Sequence, residues 1–365
     1  MGSLRIGMAL SGGGMRAAIF HLGVLYYMAE EGSFDNIASM SSVSGASLAV
    51  GLIFATNGNK WPSGKVFARE VEPKIRETIL ANDLQTGILR LLPFSPKHWF
   101  NRVGLLAKTM EDQWGISGTL QDLPKYPYWE INCTAYETGK AFRFRRDFMG
   151  SSATGYSQSP QLPISHMIAA SAGFPVLIGP YKLSTAGQSW TKDKQGLKEQ
   201  VAVESSYSLW DGGVYDNLGL EALYRVGRGL DAEIDFLVVS NASASIPFAR
   251  RRRNVSAANM LRLLKIAISQ VEVLRAREVV EYVVKCGEGS YLKIGSSAAD
   301  IAARLGAPSA KIAPIIANCL SPEEAARVGG YPTTLHSPSP LSYELIFRHG
   351  YENAKCVGIL GRNVA

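Results

Sequence analysis

Residues 4–55 read LRIGMALSGGGMRAAIFHLGVLYYMAEEGSFDNIASMSSVSGASLAVGLIFA, and this stretch decides the fold. Leu4–Leu10 is a short apolar run suited to a buried strand, and it stops at Ser11-Gly12-Gly13-Gly14. Ala18, His21, Leu22, Leu25 and Met28 then recur at helical spacing until Gly32 closes the pattern. Ile37–Val43 reads as a second strand, Ser44–Ala46 as a tight turn and Ser47–Ala55 as a second helix. Strand, helix, strand and helix in such quick alternation predict a parallel sheet covered by helices.

Working outward, residues 60–123 carry a mostly helical pattern with Trp99, Phe100 and Trp114 interspersed, which reads as a helical insertion on the core. Trp129–Thr134 and Lys140–Arg145 form two strands joined at Glu137-Thr138-Gly139, and Ile164–Gly173 a small-residue helix ending before Pro175. Gly187–Val203 is polar and reads as a surface loop; Tyr207–Trp210 and Ile234–Ser240 read as strands. Ala257, Leu261, Leu264, Ile268 and Val271 follow a 4-3-4-3 spacing, the mark of a helix packing on a core. With no repeat and no linker composition, the expectation is one domain over 1–365. Its core covers 5–241, and 242–365 forms a C-terminal extension.

A hydrophobic content of 46% fits a globular chain, and no run reaches the roughly 18 apolar residues of a membrane span. No secretory leader pattern is visible, so a cytoplasmic location is expected, with peripheral contact to a membrane surface left open. Cys133, Cys286, Cys319 and Cys356 are widely spaced, which argues against a zinc site or a disulfide framework. The net charge of +7 includes one dense run, Arg250–Arg253, read as a solvated loop or an attraction toward anionic membranes. No zinc-finger spacing or aromatic–basic interleaving supports a nucleic-acid partner.

Three motifs carry chemistry. In Ser11–Arg16 the consecutive glycines leave backbone N–H groups bare at a helix N-terminus, where they can hold a phosphate or a developing oxyanion. A dinucleotide fingerprint would need an acidic residue at the end of the second strand, where Ser41-Ser42-Val43-Ser44 stands instead. Gly45-Ala46-Ser47-Leu48-Ala49, between strand and helix, has the small residues at two before and two after that a nucleophile elbow demands. Ser44, flanked at those offsets by Ser42 and Ala46, is the less suitable nucleophile on this reading. Trp210-Asp211-Gly212-Gly213 places a carboxylate at a strand end with bare backbone after it, and a serine needs such a base. Asp216 reads as a helix cap. His336 or His349 would complete a Ser–Asp–His order, although the nucleophile comes early in the chain for that arrangement.

Taken together, Ser11–Arg16, Gly45–Ala49 and Asp211–Gly213 resemble the signature of the patatin-like phospholipase family: a glycine-rich loop ending near an arginine, a G-x-S-x-G elbow and a D-G-G/A. Ala169–Pro175 and Asp211–Gly219 are similar to bacterial members, and the resemblance covers roughly residues 5–241. Ala49 in place of the second elbow glycine is the visible departure. The resemblance implies a three-layer α/β/α sandwich with a mainly parallel central sheet, and a Ser–Asp dyad without histidine. Ser47 would attack an ester carbonyl while Asp211 takes its proton and later activates water. The amides of Gly12, Gly13 and Gly14 would hold the oxyanion, and Arg16 would order the loop or bind a lipid phosphate. Gly45 and Ala49 would shape the elbow, and Gly212 and Gly213 would give room beside the base. The implied activity is that of a phospholipase A or lysophospholipase on phospholipid or other lipid esters, without metal or cofactor. A soluble esterase or thioesterase would use the same dyad, whereas a non-catalytic lipid-binding module would lack one of its members.

Overall fold

The computed structural model describes residues 4–94, 102–175, 177–200, 202–246, 248, 257–306 and 317–361. Trp99, Phe100 and Arg250–Arg253 lie outside the described residues.

The opening alternation folds as β1 (Ile6–Leu10), α1 (Gly14–Glu30), β2 (Ile37–Ser42) and α2 (Gly45–Thr56). Every residue of β1 is buried, as an all-apolar strand covered on both faces requires. Its side chains split by the period of two. Ile6, Met8 and Leu10 join the main hydrophobic cluster, while Ala9 joins a second one with Leu237, Val239 and Val279. A hydrophobic layer therefore lies on each face of a central sheet.

The insertion is helical as expected. It comprises α3 (Gly64–Val66), α4 (Glu72–Ala81), α5 (Leu84–Leu91) and α6 (Val103–Trp114), with α4 packed on α2. Next come β3 (Tyr128–Ala135), β4 (Lys140–Phe144), β5 (Phe148–Ser151), β6 (Gly155–Gln158) and α7 (Ile164–Ser171). The polar stretch 187–203, expected as a loop, contributes two short strands at the sheet margin, β8 (Trp190–Thr191) and β9 (Glu199–Gln200), after β7 (Tyr181–Ser184). Each strand is only two residues long and Trp190 is their one core side chain, so the polar composition around it hid the pairing. The chain continues through β10 (Ser206–Asp211), α8 (Gly213–Asp216), the hairpin β11 (Tyr224–Arg225) and β12 (Gly229–Leu230), and β13 (Phe236–Asn241). It then forms α9 (Ala257–Cys286), β14 (Gly289–Lys293), α10 (Ala298–Arg304), α11 (Pro322–Gly329) and α12 (Pro340–Gly361).

The heart of the sheet is parallel in the order β14-β13-β1-β2-β3, and an antiparallel meander β4-β5-β6-β8-β9 extends it. On one flank of β3, two strands share a lane. β2 runs parallel and stops with Ser42 opposite Ile131, whereas β10 runs antiparallel and stops with Asp211 opposite Cys133. The C-terminal ends of β2 and β10 thus face each other across the single residue Asn132.

One expected core contact does not form. On α9, Leu261, Leu264 and Ile268 are only half-buried and Val271 is 40% exposed. The periodic stripe is present, but over these residues it is covered only in part among the described residues. The C-terminal region is instead tied in by α12, which packs along α1.

Candidate active site

β2 ends at Ser42 and α2 starts at Gly45, so the chain must turn within two residues. The strain falls on Ser44, at φ 51° and ψ −115°, a region that costs a non-glycine residue about 1–3 kcal/mol. Ser44 is half-buried whereas its neighbours from Ser41 to Val50 are buried, so the turn presents this one side chain. Its amide donates to Ser171 Oγ at 3.0 Å. Close packing fixes the turn further, since a Cβ on Gly45 would stand 2.1 Å from the Gly14 carbonyl oxygen.

Ser47, the expected nucleophile, does not stand at the turn. Ser47 sits inside the first turn of α2, fully buried, with its hydroxyl 2.9 Å from Ser42 Oγ and 3.0 Å from Ser171 Oγ. The proton directions follow from counting donors. Ser171 donates to the Asn132 carbonyl at 2.7 Å, so Ser47 donates to Ser171 and Ser42 donates to Ser47. Trp129 Nε1–H completes the chain by donating to Ser42 Oγ at 2.8 Å. Ser47 is therefore a strut beneath the elbow. Around Ser44 the small flanking residues are Ser42 and Ala46; Ala49 lies within the helix and plays no part in the turn.

Asp211 is brought to Ser44 by the head-on strand ends. The carboxylate is 3% exposed and accepts the Gly213 N–H at 2.7 Å. Burial pushes its pKa up to about 6, against the opposing pull of the Gly213 amide and the neighbouring Ser44 hydroxyl. Its backbone is held on both sides: Asp211 N–H donates to the Gly173 carbonyl, Gly212 N–H to that of Ser171, and Thr134 Oγ1 donates to the Asp211 carbonyl. A Cβ on Gly212 would stand 2.4 Å from the Asn132 carbonyl oxygen, which explains the bare residue after the base. Asp216 accepts the amides of Leu218 and Glu221 and pairs with Arg275 at 3.4 Å, capping a turn rather than a helix. Neither weighed histidine joins the pair. His336 is exposed and bonded to Asp83, and His349 is buried, accepting the Gly295 N–H at 2.9 Å.

The glycine loop closes the third side. Gly12 lies against the turn, its would-be Cβ 3.3 Å from Ser44 Cβ. Its amide already donates to the Asn217 carbonyl at 3.0 Å, which makes Gly12 the least free of the three expected oxyanion donors. Gly13 (φ 148°) and Gly14 (φ 63°) enter α1 in left-handed conformations, and among the described residues their amides have no partner. Arg16 is 1% exposed and committed to protein oxygens. Its Nε donates to the Ala242 carbonyl at 3.1 Å, one terminal nitrogen to the Tyr331 carbonyl and the other to Thr333 Oγ1. Of its two expected roles, ordering the loop is the one its contacts support.

Sequence reasoning missed several supports. His21 joins Ser11 and Ser240, with Nε2 donating to the Ser11 carbonyl at 2.9 Å and Nδ1 accepting from Ser240 Oγ at 2.8 Å. Burial holds its pKa at about 4, so the ring is neutral. Thr334 accepts the Met15 N–H at 2.8 Å. Ser171 and Asn132 were findable in principle, as polar residues within otherwise buried elements.

Comparison with known proteins follows the same lines. The profile of the family described as Patatin-like phospholipase matches residues 8–224. No curated protein matches significantly. Human GIVD cytosolic phospholipase A2 superposes with a TM-score of 0.53 at 14% identity, covering 99% of this chain and 62% of that one. Its complex with methyl gamma-linolenyl fluorophosphonate gives 0.54 at 16% identity, covering 99% and 59%. The chain thus spans about three-fifths of those chains, and at such identity the likeness concerns the fold. With the family profile matched over more than half of its length, at the segments that build this site, the chain belongs to the patatin-like phospholipase family.

Proposed function

We propose that this chain hydrolyses the carboxylic esters of phospholipids or lysophospholipids through a dyad of Ser44 and Asp211. The observation that carries the reading is Ser44 at a strained, outward-facing elbow beside a buried carboxylate whose pKa stands at about 6. A carboxylate at its ordinary pKa is a weak base; raised toward neutrality, it remains largely ionised at pH 7 and accepts a serine proton more readily.

Ser44 Oγ attacks the ester carbonyl as its proton passes to Asp211. The amides of Gly13 and Gly14, at the positive end of α1, donate to the oxyanion. Collapse expels the alcohol, which takes the proton from Asp211, and leaves an acyl-serine. Water then gives a proton to Asp211 and attacks the acyl carbon, and the fatty acid leaves as the proton returns to Ser44 Oγ. The strain at Ser44 keeps the oxygen clear of its own backbone throughout.

The test is fatty-acid release from mixed phospholipid vesicles by wild type, Ser44→Ala, Ser47→Ala and Asp211→Asn. The Ser44 and Asp211 variants should fall by about a thousandfold or more, and Ser47→Ala should retain activity. Loss in Ser47→Ala with full activity in Ser44→Ala would reverse the assignment.

A further inference from the structure

A cavity lies away from the proposed dyad. It measures about 660 Å³ and sits between strands β4–β6 and the β11–β12 hairpin; neither Ser44, Asp211 nor the glycine loop lines it. Arg143 forms part of its wall. This residue is 5% exposed, and its nearest carboxylates are too far for hydrogen bonds: Glu130 at 3.6 Å from Nε and Glu221 at 3.7 Å from a terminal nitrogen. Arg143 Nε and Glu130 Oε2 are both buried without a hydrogen-bond partner. Nε faces that Glu130 oxygen and is sealed, so it is the terminal nitrogens, held by one long ion pair and no hydrogen bond among the described residues, that can meet a ligand in the cavity.

The surroundings indicate what that is. Lys140, Lys194, Arg225 and Arg228 stand around Arg143, and only Glu221 and Asp231 oppose them among the lining residues. The cavity therefore carries an excess of three positive charges. Tyr156 adds a phenol to the lining. We propose that this cavity binds a phosphomonoester dianion, as a lipid headgroup or a free phosphate ester, with Arg143 as its buried anchor. The guanidinium fork matches phosphate oxygens in pairs, and a dianion offsets most of the surplus charge where a single carboxylate would not. The volume suits a headgroup-sized ligand.

Binding is measured directly and does not depend on hydrolysis. Calorimetry with inorganic phosphate and glycerol 3-phosphate reads the free ester; co-sedimentation with phosphatidylcholine vesicles, with and without phosphatidic acid, reads the headgroup. The variant is the exposed pair Arg225→Glu with Arg228→Glu, whose melting temperature should match wild type. Arg143→Met is the second variant, read only if it folds. Binding of a soluble probe, or retention on phosphatidic acid vesicles, that weakens by about tenfold or more in the rim pair supports the proposal and names its source. No binding to any probe, binding unchanged in the rim pair, or equal binding of citrate overturns it.

Discussion

Ser44 and Ser47 are three positions apart, yet one faces the base and the other is sealed beneath it. Ser47→Ala removes a hydroxyl that both accepts from Ser42 and donates to Ser171. It should cost about 1–3 kcal/mol of stability in chemical denaturation, with kcat/KM kept within tenfold of wild type. The proposed dyad takes the other serine than the sequence suggested, for a physical reason. Residues 42–49 are nearly all small, so the steric rule for an elbow is met in two registers, and the end of β2 decides between them. The position of Asp211 at a strand end, by contrast, was legible, because an apolar run stopped by two glycines marks that end. The raised pKa of Asp211 has two consequences of opposite sign. Catalysis needs the ionised form, so kcat/KM should drop about tenfold per pH unit below roughly 6. For stability, the folded state binds this proton more tightly than the unfolded chain. That contribution is full below about pH 3.8 and is lost as the pH rises through 6. Asp211→Asn should therefore melt higher than wild type at pH 7, by the equivalent of up to about 3 kcal/mol, while inactive.

At the level of elements, the meeting of β2 and β10 end to end beside Asn132 does the assembling. Neither strand needs a long loop to bring its chemistry to the other, because the register on β3 sets both stopping points. The glycine loop is pressed against this junction at Gly45. Adding a methyl there, as Gly45→Ala, would place it 2.1 Å from the Gly14 carbonyl oxygen. The two backbones must separate, at about 1–3 kcal/mol, and the oxyanion donors move with them. Activity should fall about a hundredfold, more than the stability loss alone explains, which parallel melting and kinetic measurements would show. The strands and helices of residues 4–55 were readable since each is short, periodic and closed by glycine or serine. The exposed stripe of α9 was not, because periodicity reports that a face is apolar and says nothing about whether another element reaches it. The short strands β8 and β9 escaped for another reason: each has two residues, and Trp190 is the one core side chain between them, too little to show a period.

Across the whole molecule, the site depends on contacts that no motif announces. Arg16 holds Ala242, Tyr331 and Thr333 in one guanidinium, and Met15 donates to Thr334. Arg16→Met should leave two buried carbonyls without that donor and cost about 2–4 kcal/mol in denaturation midpoint and slope analysis. Arg16→Lys should rescue little, since one ammonium cannot reach three directions at once. No local reading of the first 55 residues could place these partners, which arrive more than two hundred positions later. The same distance sets an order of events during synthesis. A growing chain displays the glycine loop, the elbow and then the aspartate well before residues 331–334 leave the ribosome. Until those last residues fold back onto Arg16 and Met15, the glycine loop lacks its clasp, so on the proposed mechanism a partly made chain would have no ordered oxyanion donors.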